Sequence, residues 1–69
     1  MINNAIEKFR INYESSNRYA IYYKMISKAG KPIHYFYTVT DNGRGVFYSP
    51  ERRISETAYN FAKPFGVMI

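Results

Sequence analysis

The sequence predicts an α+β fold in the order α-β-β-β-α, in which two helices pack on one face of a three-stranded antiparallel sheet. Two observations lead to this prediction. An amphipathic pattern stands at each end of the chain, and three stretches rich in aromatic and β-branched residues lie between them, separated by turn residues. With 69 residues, the chain has room for one domain spanning residues 1–69.

The first helix is predicted over about the first fourteen residues. Apolar residues recur there at helical spacing: Ile2, Ala5, Ile6, Phe9 and Tyr13. Asn3 or Asn4 can cap the start of this helix, and the polar residues 15–17 end it.

Three strands are predicted next. Arg18 to Lys28 and Ile33 to Thr40 are strongly strand-forming, and residues 29–32 between them carry turn chemistry. Asp41-Asn42-Gly43 is a strong hairpin signal, because Asn and Gly accept the positive φ angles of a tight turn. Gly45 to Ser49 therefore returns as the third strand.

The second helix is predicted from Pro50 to about Ala62, with Ser49 as its cap. Its expected inner face has the spacing of a buried stripe: Ile54, Thr57, Ala58 and Phe61. Pro64 and Gly66 stop the helix. The apolar tail from Phe65 to Ile69 either packs back onto the core or marks a site where a parent polyprotein was cut.

The amino-acid composition limits the classes of function that the chain can have. Ten Lys and Arg against five Asp and Glu give a net charge of +5, which suits a polyanionic partner such as nucleic acid or an acidic membrane, or serves solubility alone. With one His and no Cys, the chain offers no catalytic or metal-binding constellation, so we expect neither an enzyme nor a cofactor, a metal or a small-molecule substrate. Since neither a membrane span nor a signal peptide is evident, we expect a cytoplasmic protein.

The element order and several short motifs together resemble the double-stranded RNA-binding domain. Tyr23 stands where that family often has a first-strand Tyr, and Gly43 and Gly45 are similar to the glycines around its second hairpin. Lys31-Pro32-Ile33-His34 resembles the family's Gly-Pro-x-His loop, although Lys31 replaces the Gly and the segment from His34 to Phe36 is short. The segment from Ser49 to Ile54 resembles the family's Ser-Lys-Lys-x-Ala-Lys helix opening, with Ser55 or Glu56 in place of the third Lys.

The resemblance implies sequence-independent binding of double-stranded RNA by shape, 2′-hydroxyl and phosphate contacts, over about 16 base pairs. It also implies three contact patches. The first lies on the first helix and comprises Asn4, Glu7 and Lys8. The second is the loop formed by Gly30, Lys31, Pro32 and His34. The third is the start of the last helix, with Arg52, Arg53 and Ser55.

The small size and the divergence from the family pattern indicate a viral protein. Such a protein could mask duplex RNA from host sensors such as the RNA-activated kinase, an implication of the resemblance. Three alternatives stay open: stacking of unpaired bases on the aromatic rings, a sheet inserted into a DNA groove, and a protein-binding inhibitor. Because the strands must also cover two helices, we expect most rings to be core.

Overall fold

A computed structural model describes residues 5–14 and 17–69, and within these ranges the main element is a six-stranded antiparallel sheet. The strands are β1 (Ala5–Asn12), β2 (Arg18–Ile26), β3 (Pro32–Asp41), β4 (Val46–Tyr48), β5 (Arg52–Ile54) and β6 (Val67–Met68). A short helix, α1 (Glu56–Ala62), and a 3₁₀ turn (Lys63–Phe65) lie between β5 and β6. The predicted α-β-β-β-α fold is therefore wrong, because the described chain is mostly sheet with one α-helix.

The first predicted helix is a strand. From Lys8 to Asn12, polar and apolar residues alternate strictly, which is the pattern of a strand with one buried face. Phe9 is fully buried and stacks on Tyr22 of β2, with 4.9 Å between the ring centroids. This cross-strand burial outweighs the helical spacing of Ala5 and Ile6. The predicted cap at Asn3 or Asn4, and residues 15 and 16 at the predicted end, lie outside the described residues.

The predicted central strands are confirmed as β2 and β3, which pair from Arg18↔Thr40 to Ile26↔Pro32. Both predicted turns are also confirmed. Gly30 has a φ of 79° and Gly43 a φ of 83°, so each occupies the left-handed region that favours glycine. The third predicted strand corresponds to β4.

The outer edge of the sheet is built from two short strands that both pair with β3. Between them, Ser49 Oγ accepts a 2.8 Å hydrogen bond from the Thr38 amide, and the Ser49 amide donates to the Thr38 carbonyl. Pro50 has no amide hydrogen for the ladder, and pairing resumes at Arg52, opposite Phe36. The prediction that Pro50 opens a helix is thus wrong, because pairing with the edge of β3 makes Arg52–Ile54 a strand.

The helix begins only after β5. Ser55, not Ser49, is its cap, and the Ser55 Oγ accepts a 3.1 Å hydrogen bond from the Ala58 amide. Among the residues of α1, Tyr59 is buried, whereas Phe61 is 75% exposed and the predicted stripe is wrong. Seven residues make about two turns, so such a helix directs few side chains inward. No helix within residues 5–14 and 17–69 is long and apolar enough to cross a membrane.

The C-terminal tail packs back onto the sheet. After the 3₁₀ turn that contains Pro64, β6 pairs with β1 through Phe9↔Met68 and Arg10↔Val67. Gly66 lies directly against the Phe9 ring, where a Cβ atom would overlap the ring.

Strand alternation divides the sheet's side chains between two faces. On one, which we call the helix face, Tyr59 of α1 contacts Phe9 and His34. We call the other the open face. It carries Tyr23 and other side chains that point in the same direction as Tyr23: Lys8, Arg10, Tyr19, Ile21, Tyr35, Tyr37, Val39, Tyr48 and Arg53. Both faces contribute to the core, since Ile21, Tyr23 and Val39 are buried on the open face.

Candidate nucleic-acid interface

The first predicted contact patch is not a helix surface. Asn4 lies outside the described residues. Glu7 and Lys8 are neighbours on β1, so their side chains point to opposite faces of the sheet. Glu7 is on the helix face, where its carboxylate accepts hydrogen bonds from the Tyr59 hydroxyl at 2.8 Å and from Lys63 Nζ at 2.9 Å. The Glu7 side chain is therefore engaged within the fold. Of the two described residues of this patch, Lys8 is the one that lies on the open face.

The Glu7 carboxylate is the centre of a polar cluster between the sheet and the C-terminal segment. Lys24 Nζ lies 3.9 Å from the same carboxylate, close to the ring of Tyr59. The hydrogen bond from Lys63, followed by that from Tyr59, holds the pKa of Glu7 below its ordinary value of 4.5. Burial and the hydrogen bond to Glu7 raise the pKa of Tyr59. The charged carboxylate and the neutral phenol thus stabilise each other, which indicates a structural role.

The second predicted patch divides into an exposed turn and a buried side chain. Gly30 and Lys31 are exposed in the turn between β2 and β3, and Pro32 is exposed as the first residue of β3. His34, by contrast, is only 5% exposed, and its ring centroid lies 4.6 Å from that of Tyr59. The expectation of an imidazole that projects from a loop is wrong in its geometry, because His34 is within β3 and faces α1.

The third predicted patch is a strand followed by a cap. Arg52 and Arg53 lie on β5 instead of at a helix start, and Ser55 is engaged as the cap of α1. Arg52 is opposite Phe36 on the helix face, whereas Arg53 is opposite Tyr35 on the open face. Consecutive strand residues point in opposite directions, so the two guanidinium groups cannot form one clamp.

The structure nevertheless brings four of the predicted residues together. Pro32, His34, Arg53 and Ser55 line an open pocket of about 350 Å³ at the junction of β3, β5 and α1. Glu56 also lines it. A carboxylate beside a single guanidinium is a poor environment for a phosphate, since it repels the anion that Arg53 attracts. The other predicted residues do not converge there.

The open face contains a group of tyrosines that the sequence interpretation assigned to the core. Tyr23 is buried at its centre, and its ring lies 5.3 Å from that of Tyr35 and 6.4 Å from that of Tyr37. Tyr37 in turn contacts Tyr48, which is 67% exposed. We call Tyr19, Tyr35, Tyr37 and Tyr48, which surround Tyr23 and keep part of their surface in solvent, the tyrosine face.

Cations flank the tyrosine face at both edges. Lys8 and Arg10 come from β1, and Arg53 comes from β5. The Arg10 guanidinium lies 3.7 Å from the centroid of the Tyr19 ring, and its Nε donates a 2.7 Å hydrogen bond to Asn12. This cation is therefore held over a ring at the margin of the face.

Burial raises the pKa of Tyr37, and the pKa of Tyr23 is raised by burial together with the neighbouring Glu51 carboxylate. Both phenols consequently stay neutral at physiological pH. The neutral rings add no negative charge, whereas the Glu51 carboxylate beside Tyr23 and Tyr37 does, so the attraction for a phosphate comes from the flanking cations.

A signal for this face was present in the sequence. Tyr35 and Tyr37 are two residues apart in β3, and Tyr19 and Tyr23 are four apart in β2, so each pair falls on one face of its strand. The expectation of two covering helices concealed this signal. Because the described structure has one short helix on the opposite face, these rings are not covered by a helix.

Within the described ranges, no group of three or more His, Cys, Asp or Glu side chains is placed to hold a metal ion. No family model, curated protein or solved structure matches this chain.

Proposed function

We propose that the tyrosine face binds single-stranded nucleic acid without sequence preference. The observation that carries the proposal is a sheet surface of four tyrosines, three of them half-buried and Tyr48 exposed, between Lys8 and Arg10 on one edge and Arg53 on the other. Aromatic rings stack on the flat faces of any base, and flanking cations contact the phosphates. The net charge of +5 favours the same polyanionic partner.

Two features favour a single strand over a duplex. In a duplex the faces of the bases are already stacked on each other, so tyrosine rings on a sheet cannot reach them. The three patches implied by the resemblance to double-stranded RNA-binding domains also lie on different surfaces of this fold. Duplex RNA binding is therefore an alternative outcome of the binding test below.

A second copy of the chain is a poorer partner for this face. Each copy carries a net charge of +5 and places cations along both edges of the face. Two copies in face-to-face contact would bring Lys8, Arg10 and Arg53 of both copies into a shared low-dielectric interface, where the Glu51 carboxylates can pair with only some of them.

The test is a fluorescence-anisotropy titration of labelled single strands of about 12 nucleotides, within the range of roughly 4–16 nucleotides for one single-strand-binding domain. Matched RNA and DNA duplexes serve as competitors. We expect the single strands to bind more tightly than either duplex. Because the chain has eight Tyr and no Trp, quenching of its intrinsic tyrosine fluorescence reports stacking directly. Tighter binding to duplex RNA, or no binding to any nucleic acid, would contradict the proposal.

The variant for this test is Tyr48→Ala. Tyr48 is 67% exposed, so its removal should leave the fold intact and weaken single-strand binding by about 1–3 kcal/mol, the loss expected for one stacked base. Phe61→Ala is the matched control, because Phe61 is also a highly exposed aromatic residue but belongs to α1. Equal effects of the two substitutions would show that the tyrosine face is not the binding surface.

The salt dependence provides an independent measure. If Lys8, Arg10 and Arg53 each contact one phosphate, the slope of log affinity against log salt should be about −2, since a single strand contributes about −0.7 per contact. A slope near zero would exclude phosphate contacts as a source of affinity.

A further inference from the structure

A pocket on the helix face lies beside the part that α1 covers. Its walls come from the ends of β1 and β2, the middle of β3 and the outer edge of the sheet: Tyr13, Arg18, Phe36, Thr38, Ser49 and Arg52. The pocket is open to solvent on one side and has a volume of about 290 Å³. This is close to the lower end of the roughly 300–1,000 Å³ found for small-molecule sites, so the pocket suits a ligand of about nucleotide size.

The charges of the pocket favour an anion. Arg18 and Arg52 line it, and no carboxylate does. Within the part of the chain that the structure describes, neither guanidinium forms an ion pair, because the salt bridges there involve Glu7 with Lys24 and Lys63. The Arg18 guanidinium lies 5.1 Å from the centroid of the Tyr13 ring. Two guanidinium groups that line one pocket without an ion-pair partner can bind a phosphate through paired N–H donors.

An aromatic ring completes the pocket wall. Phe36 belongs to a row of stacked rings across the sheet, with Tyr22 between it and Phe9. The Tyr22 and Phe36 rings are 5.3 Å apart and inclined by only 17°. Arg52 is the cross-strand neighbour of Phe36 on the other side. A fixed ring next to a guanidinium is the combination that holds a base and its phosphate at once.

The outer wall is held in place before any ligand binds. The Thr38 amide donates to Ser49 Oγ at 2.8 Å, and the Ser49 amide donates to the Thr38 carbonyl at 2.9 Å. These two bonds fix the point where the chain passes from β4 to β5, and hence the position of Arg52. A wall that does not have to be ordered on binding lowers the entropic cost of binding.

We propose that this pocket binds one nucleoside monophosphate unit, with Arg18 and Arg52 on the phosphate and Phe36 against the base. The site is separate from the tyrosine face and does not depend on its function. The unit is either a free nucleotide or the 5′-phosphorylated end of a strand, since both present the same chemistry.

The test is a titration of the ¹⁵N-labelled full chain with AMP, inorganic phosphate and adenosine, followed by NMR. We expect AMP to shift the amide signals of Arg18, Phe36, Thr38 and Arg52, and to bind more tightly than phosphate or adenosine alone. Shifts confined to other residues, or no saturable shift with AMP, would overturn the proposal.

Arg52→Ala should weaken AMP binding roughly tenfold or more, as expected for a lost charge-assisted contact. Arg53→Ala is the matched control, because it removes the same charge from the adjacent residue on the opposite face and should leave AMP binding unchanged. Arg18→Gln provides a second, independent variant with the same expected loss. Equal losses in the Arg52 and Arg53 variants would assign the effect to net charge and overturn the site.

Two oligonucleotides of the same sequence, with and without a 5′-phosphate, distinguish the sources. A gain in affinity from the 5′-phosphate that disappears in Arg52→Ala supports the proposal and assigns the pocket to strand ends. Equal affinity of both oligonucleotides, together with saturable AMP binding, supports it and assigns the pocket to free nucleotides.

Discussion

The Tyr59 hydroxyl donates a 2.8 Å hydrogen bond to Glu7 Oε1 and so joins α1 to β1 across 52 residues of sequence. Tyr59 is fully buried, and its ring contacts both Phe9 and His34. This one side chain therefore carries most of the packing of the helix against the sheet, and the hydroxyl fixes its orientation.

Tyr59→Phe tests the hydroxyl alone. The substitution keeps the ring but leaves a carboxylate with one donor fewer, so we expect a loss of about 1–3 kcal/mol in the free energy of unfolding, measured by urea denaturation. Tyr48→Phe, which removes a hydroxyl from an exposed ring, should change the free energy by less than about 0.5 kcal/mol. Similar losses for both would show that the Glu7 contact does not stabilise the fold.

Tyr59→Ala tests the ring. Removal of a fully buried aromatic side chain costs about 3–5 kcal/mol, which is comparable to the whole stability of a domain of this size. We therefore expect this variant to be largely unfolded by circular dichroism. A cooperative melting transition close to that of the wild type would contradict the assignment of Tyr59 to the core.

Glu7 should make stability depend on pH. Its pKa in the fold is below the ordinary 4.5, so the charged form stabilises the native state; this contribution is complete above pH 4.5 and is lost as the pH falls through the folded-state pKa. Glu7→Gln should cost about 1–2 kcal/mol at pH 7, and its difference from wild type should shrink below pH 4.5. Glu14→Gln, which changes the same charge at an exposed position, should show no such trend.

Gly66→Ala should destabilise the docking of the C-terminal strand. Gly66 has extended backbone angles that any residue adopts, so the cost comes entirely from overlap of the new methyl group with the Phe9 ring. We expect a loss of about 1–3 kcal/mol in thermal or urea unfolding. Gly45→Ala is the control, because nothing lies within 4 Å of the Cβ it would add. A neutral Gly66→Ala would mean that β6 does not hold this position in solution.

Arg52 and Arg53 should separate the two proposed sites. Arg53→Ala should weaken single-strand binding at the tyrosine face and flatten its salt dependence by about 0.7, while AMP binding is retained. Arg52→Ala should have the reverse effect on AMP. Parallel titrations of AMP and a strand without a 5′-phosphate check this, and identical profiles for the two variants would contradict the assignment of these residues to opposite faces.

The central part of the fold was predictable because its signals are local. The β2–β3 hairpin and the β3–β4 turn follow from aromatic and β-branched runs and from glycines at positions that need positive φ. The net positive charge, which indicates a polyanionic partner, is likewise a property of the sequence alone.

The secondary structure of two segments, Ala5–Asn12 and Arg52–Ile54, was decided by tertiary contacts. Ala5–Asn12 has both a helical and an alternating pattern, and burial of Phe9 against Tyr22 and Gly66 selects the strand. Arg52–Ile54 comes shortly after Pro50, which is equally compatible with the start of a helix. Pairing with the free edge of β3 makes this segment the strand β5. The two proposed sites depend on these choices, since the strand places Arg52 and Arg53 on opposite faces and, in the described part of the chain, the α-helix lies on the face opposite the tyrosines. Local propensity is worth only a fraction of the energy of burying an aromatic side chain, so the sheet overrides it wherever the two conflict.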